Sequence, residues 1–196
     1  MRSKYSKNLN IALTAMFAAI VFVLSYIGSL VQVTSFSSAA LPLVAIIIGG
    51  IYIGPAAGSL LGFVFGITVF FFFPDTKPYM EFSVFYTFIA CVVRATFVGW
   101  FTPFLFNLIS KKIKPVAALI IAAVVGPVIN TSIFTVCVMA VFRSFFEADA
   151  IAAGKSVLLF FLSLIIVNFI SELVSSVVLC PAILVRLLKL KERMEK

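Results

Sequence analysis

Two ionisable side chains stand inside long apolar runs: Arg94 in Phe-Ile-Ala-Cys-Val-Val-Arg-Ala-Thr-Phe and Glu172 in Val-Asn-Phe-Ile-Ser-Glu-Leu-Val. A charge at the centre of a membrane helix costs about 2.5–3.5 kcal/mol on insertion scales, so each must face protein or a water-filled cavity rather than lipid. Asn130 and Asn168 add amides that also need partners in a dry interior. The chemistry open to this set is recognition. A guanidinium offers a planar fork of donors suited to a carboxylate, while the amides and the Glu172 carboxylate can satisfy hydroxyl and amide groups. The alternative is structural: Arg94 and Glu172 pair with one another and the Asn side chains staple helices. The two overlap, because an empty chamber can hold an ion pair that a ligand carboxylate later opens.

The elements that position these residues follow from composition. The chain has 196 residues, 63% hydrophobic and 11% charged, with 23 Phe and a mean hydropathy of +1.24. A soluble domain carries about 25% charged residues, and one core cannot internalise this much apolar surface. The chain is therefore expected to be an all-α integral membrane protein. Six spans of roughly 20 residues leave only short loops, so residues 1–196 read as one membrane domain. There is no His, and Cys91, Cys137 and Cys180 lie far apart with no metal-ligand spacing. No metal, cofactor or disulfide framework is expected. No Ser or Cys stands beside a plausible base, so the chain is not expected to be an enzyme. Gly154-Lys155-Ser156 resembles the end of a phosphate-binding loop, but Asp149 occupies the required Gly position and no strand precedes it. Asn130-Thr131-Ser132 fits a glycosylation sequon by chance, inside a span.

Apolar runs against polar punctuation predict spans over Ile11–Val31, Ala39–Ile53, Pro55–Phe73, Phe82–Ile109, Val116–Phe142 and Ser156–Leu188. The weakest division is at Gly49, Gly50, Gly54 and Pro55, which fits either a turn between two helices or a kink in one. Charge decides for the turn. With six spans, the N-terminus, the Lys111–Lys114 connection and the C-terminus share one side, with three, three and five Lys/Arg. That side is cytoplasmic by the positive-inside rule. The opposite side has Lys77, Arg143 and Lys155 together with Asp75, Glu81, Glu147 and Asp149. The net charge of +8 then meets anionic headgroups of the bilayer and is no argument for nucleic acid.

Counted from the outer helix ends, Arg94, Asn130 and Asn168 each lie about 12 residues in, roughly 18 Å at 1.5 Å per residue. Asn168 and Glu172 are four apart and share a helix face, with Glu172 one turn nearer the cytoplasm. Three spans can thus converge on one polar chamber, closed on the outside by Gln32–Ser38, by Phe70–Phe73 with Pro74, and by the Tyr79–Tyr86 stretch. The Phe70–Phe73 run equally fits an interfacial aromatic belt. Gly54, Gly58, Gly62 and Gly66 recur every four residues, as do Ala15 and Ala19, with Ala12 near the same face. Such stripes let helix backbones approach closely. Packing within the chain and docking onto another membrane protein both satisfy them.

The combined pattern resembles the substrate-binding S components of energy-coupling factor (ECF) vitamin transporters. It spans nearly the whole chain: six spans, cytoplasmic basic ends, the Ala-x-x-x-Ala face, the Gly-rich third span, Gly-Pro-Val-Ile-Asn-Thr over Gly126–Thr131, and the Asn-x-x-x-Glu helix ending in Cys-Pro-Ala-Ile. The resemblance implies a subunit of the bacterial cytoplasmic membrane that captures a vitamin from outside. A membrane coupling protein and two ABC-type ATPases then drive its release inside. The first three spans would dock to the coupling protein, through Ala12, Ala15 and Ala19. The outer loops and fourth to sixth spans would hold the substrate, with Arg94, Asn130, Thr131, Asn168 and Glu172 as binding residues. The Gly126–Thr131 segment and the mid-span Arg look most like pantothenate-type members, and riboflavin, folate and hydroxymethylpyrimidine members share much of the scaffold. A stand-alone proton-coupled carrier working through Glu172 is the alternative from another class, although no matching pair of interrupted helices supports it. A protein serving only assembly is the third.

Overall fold

Lipid offers no partner to a backbone N–H or C=O, so apolar runs of this length must satisfy their backbone internally as helices. The computed structural model describes residues 2–30 and 40–194, apart from the side chains of residues 2–6, 40, 75 and 188–194. The Gln32–Ser38 segment and the span limits at Val31 and Ala39 lie outside the described residues. The elements are α1 (Arg2–Leu30), α2 (Ala40–Ile53), α3 (Pro55–Phe72), α4 (Lys77–Phe82), α5 (Val84–Phe88), α6 (Arg94–Ile109), α7 (Pro115–Val141), α8 (Glu147–Ala152) and α9 (Val157–Met194). One wide π-helical turn, Ile89–Val93, joins α5 to α6 without a break, and 3-10 turns fill Pro74–Thr76 and Arg143–Phe146. No strand occurs among the described residues.

Five of these segments are long and apolar enough to cross a bilayer: 7–30, 55–72, 84–109, 115–141 and 157–187. The other, α2, has 14 residues, about 21 Å of helix at 1.5 Å per residue. It compensates by being central. Leu43 to Ile48 are all buried, and α2 packs against α1, α3, α6, α7 and α9. A helix apolar on every side suits that position. Gly54, at φ 142, supplies the left-handed turn that L side chains rarely adopt, and Pro55 opens α3 where its missing N–H costs nothing. The Gly49–Pro55 division is therefore a turn, and the six membrane segments stand.

The fourth span begins later than expected. Ser83 is extended (φ −162, ψ 110), so the chain breaks there and the span starts at Val84; Phe82 ends the separate short helix α4, which Pro78 initiates. The Gly stripe of α3 proves to be internal packing. A Cβ on Gly58 or Gly62 would overlap the carbonyl oxygen of Gly99 or Ala95 on α6, and one on Gly66 would lie 2.6 Å from the Val92 Cα. Gly54 is not part of that face, because it forms the turn. The Gly154-Lys155-Ser156 resemblance also has a structural cause. Gly154 (φ 63) ends α8 with the Lys155 N–H donating to the Ala150 carbonyl at 2.9 Å, and Ser156 Oγ accepts from the Leu159 N–H at 3.4 Å at the start of α9.

Side chains of α2, α6, α7 and α9, among them Ile47, Val98, Leu119 and Leu184, fill the half of the bundle near the Lys111–Lys114 connection. Towards the other end the core divides. Leu61, Phe65 and Val92 pack on one side, and Val138, Phe142 and Phe161 pack on the other. The polar side chains lie in the gap between these two clusters.

Candidate functional site

Three helix columns face this gap. On the fourth span Thr87, Cys91 and Arg94 follow one another at helical spacing; on α7 Asn130, Phe134 and Val138 do so, and on α9 Ile165, Asn168 and Glu172. Together with Thr131, Phe65, Phe73 and Thr76 they enclose a cavity of about 90 Å³. Arg94 lies 10 residues from Val84, Asn130 lies 11 from Val141 and Asn168 lies 11 from Val157, which puts all three at a depth of about 15–17 Å. All five site residues expected from the sequence thus line one chamber, at nearly the expected level.

The charges are arranged differently from the simplest structural alternative. Arg94 and Glu172 form no ion pair; the Arg143–Glu147 pair, 3.4 Å apart, is an exposed i,i+4 contact elsewhere. Glu172 is fully buried and accepts two amide hydrogen bonds, from Asn130 Nδ2 to Oε2 at 3.1 Å and from Asn168 Nδ2 to Oε1 at 2.9 Å. The first joins α7 to α9, so the stapling part of that alternative is present. Arg94 is only 9% exposed, and its guanidinium carbon lies 4.8 Å from the centroid of the Phe134 ring. Arg94 Nε, Asn130 Oδ1 and Asn168 Oδ1 are buried without hydrogen-bond partners. The three residues that carry these unpartnered atoms, one N–H donor and two acceptor oxygens, all line the same small chamber.

The π-helical turn Ile89–Val93 directly precedes Arg94. Such a turn shifts the side-chain register locally, and here Arg94 faces the chamber while Val92 and Ala95 pack on α3. On α7, Gly126 brings the helix to Ile47 of α2, where a Cβ would lie 2.9 Å from the Ile47 Cδ1. Pro127 next to it removes one backbone hydrogen bond within α7. Asn130 follows one turn later.

At the chamber's end away from the Lys111–Lys114 connection, Tyr79 and Phe142 line it, and the exposed Phe82 and Phe145 pack behind them. Tyr79 of α4 meets Phe142 edge-on at 4.9 Å and Phe145 at 5.7 Å, and Phe82 meets the same two rings at 5.7 and 5.5 Å. The Phe70–Phe73 run divides between its two readings. Phe73 lines the chamber and Phe70 is buried, whereas Phe71 and Phe72 are exposed as a membrane-facing belt would be. Sequence reasoning did not single out Thr87, Cys91 or Phe134. Each lies three, four or seven residues from a polar residue already suspected, so helical spacing was the available signal. Ala12, Ala15 and Ala19 all lie on the exposed face of α1, whose opposite side carries the buried Val21, Ser25 and Ser29.

The family model of the ECF transporter substrate-specific component matches residues 9–184. Comparison with curated proteins and with solved structures found no match. A match over most of the chain, joined to the six membrane segments and the polar chamber between them, identifies the role. The chain belongs to the substrate-specific components of ECF transporters, multi-pass membrane subunits that bind a small-molecule substrate and serve transport rather than catalysis.

Proposed function

We propose that this chain captures pantothenate from the outside of a bacterial cytoplasmic membrane and delivers it through a coupling protein driven by two ABC-type ATPases. One observation carries the substrate assignment: a buried Arg94 guanidinium lines the chamber with no carboxylate among the described residues paired to it. A buried cation in that state favours an anionic ligand, and a planar fork favours a carboxylate. Pantothenate is a monoanion with one carboxylate, two hydroxyls and an amide. In this reading Arg94 holds the carboxylate, Asn130 takes the amide or a hydroxyl, and Asn168, Thr131 and Glu172 complete the polar wall. The cavity of about 90 Å³ is smaller than the roughly 300–1,000 Å³ of typical ligand sites. In this reading the chamber widens on binding, with Tyr79 and Phe142, which line it, moving apart. The exposed Ala12, Ala15 and Ala19 face is the docking surface for the coupling protein, since small side chains allow close backbone approach in lipid.

Native mass spectrometry of the purified chain tests the assignment, because a tight-binding subunit carries its ligand through purification. A pantothenate-sized adduct is expected. A flavin or pterin mass would overturn the substrate and keep the class. No adduct and no binding across a vitamin panel would refute substrate capture by the isolated chain.

A further inference from the structure

We infer that Glu172 is a positioning residue: it holds the amides of Asn130 and Asn168 so that both turn their carbonyl oxygens into the chamber, making that wall select hydrogen-bond donors on the substrate. This rests on the chamber being the substrate site.

A carboxylate accepts hydrogen bonds and donates none, so only the NH2 end of an amide can face it. Both Glu172 oxygens are occupied in this way, by Asn130 Nδ2 at 3.1 Å and by Asn168 Nδ2 at 2.9 Å. The remaining end of each amide is its oxygen, and Asn130 Oδ1 and Asn168 Oδ1 are both buried without a partner in residues that line the cavity. Glu172 thus acts through two neutral groups. The hydrogen bonds that its two oxygens accept fix their orientation, and their oxygens meet the ligand. A buried acceptor left unpaired is penalised, so the wall favours an anion that also carries at least two hydroxyl or N–H donors. It disfavours an anion that offers only acceptors there.

Glu172→Gln tests the orientation with nearly unchanged shape. The new amide can accept from one Asn through its oxygen, but its NH2 must face the other, which then has to flip and turn its own NH2 to the chamber. In ligand-free protein selectively 15N-labelled at Asn, the side-chain NH2 signals of Asn130 and Asn168 are expected to exchange slowly with solvent. Glu172→Gln should deprotect one of them. A swap variant, Asn168→Asp with Glu172→Gln, restores a carboxylate to the cluster and should keep the Asn130 NH2 protected. Fast exchange of both signals in the unmodified protein, or unchanged signals in Glu172→Gln, would overturn the orienting role. In titrations with pantothenate, Glu172→Gln should weaken binding by about tenfold or more, and the swap should recover most of that loss. Wild-type affinity in Glu172→Gln would refute the selection of donors. If the unmodified protein does not bind pantothenate, the substrate assignment fails, while the NMR result still decides how the amides are held.

Discussion

Replacing Arg94 by Ala separates recognition from architecture, because the two make opposite demands on the same side chain. Arg94 is buried at about mid-depth, stands over the Phe134 ring at 4.8 Å and has no ion-pair partner among the described residues. In the ligand-free state its removal relieves an insertion cost of about 2.5–3.5 kcal/mol, against loss of a desolvated cation–π contact of about 2 kcal/mol. The difference is close to zero or slightly favourable, so the empty variant should melt at or above the temperature of the parent. The ligated state behaves otherwise. Truncating one partner of a buried hydrogen-bonded charge pair costs about 2–5 kcal/mol, which corresponds to a loss of roughly 30- to several-thousand-fold in affinity. Arg94→Lys should fall between, since it retains charge but not the fork. Calorimetric titration with pantothenate in detergent or nanodiscs gives the affinities, and thermal melts of the same samples give the stability. Unchanged affinity in Arg94→Ala would refute the carboxylate clamp. A collapse of the empty protein would refute the argument that Arg94 is unpaired for a ligand's sake.

Other perturbations probe the remaining parts. Gly62→Ala drives a Cβ into the Ala95 carbonyl oxygen, so melting should reveal a destabilisation of about 1–3 kcal/mol; a parent-like melt would contradict the α3–α6 packing. Ala15→Trp should leave substrate binding by the isolated chain intact and abolish ATP-dependent uptake by the assembled transporter, whereas normal uptake would reject the docking face. Tyr79→Ala removes edge-on contacts to Phe142 and Phe145, each worth about 0.5–1.5 kcal/mol. Stopped-flow release of bound substrate should then accelerate by tenfold or more, and an unchanged release rate would exclude these rings as the barrier.

Much of this protein follows from local sequence because the bilayer is a severe solvent. Apolar runs of the right length must be helices, and the Lys/Arg clusters at Lys111–Lys114 and the two ends assign their order across the membrane. Helical rise alone brings Arg94, Asn130 and Asn168 to one level, and the spacing of four puts Asn168 and Glu172 on one face. The turn at Gly54–Pro55 was legible from residue type and charge balance together.

Tertiary structure decided what periodicity leaves degenerate. A four-residue stripe of small residues states only that something approaches closely; the partner of Gly58, Gly62 and Gly66 is α6, which depends on how α2 and α3 fold back on one another. The break at Ser83 depends on backbone competition that apolar counting does not register. Above all, Arg94 and Glu172 have complementary charges and compatible depths, so their pairing was open from sequence. In the folded chain the two Asn amides occupy both Glu172 oxygens and leave Arg94 to Phe134 and the cavity. That choice rests on distances of a few ångströms between separate helices, and helix packing sets those distances.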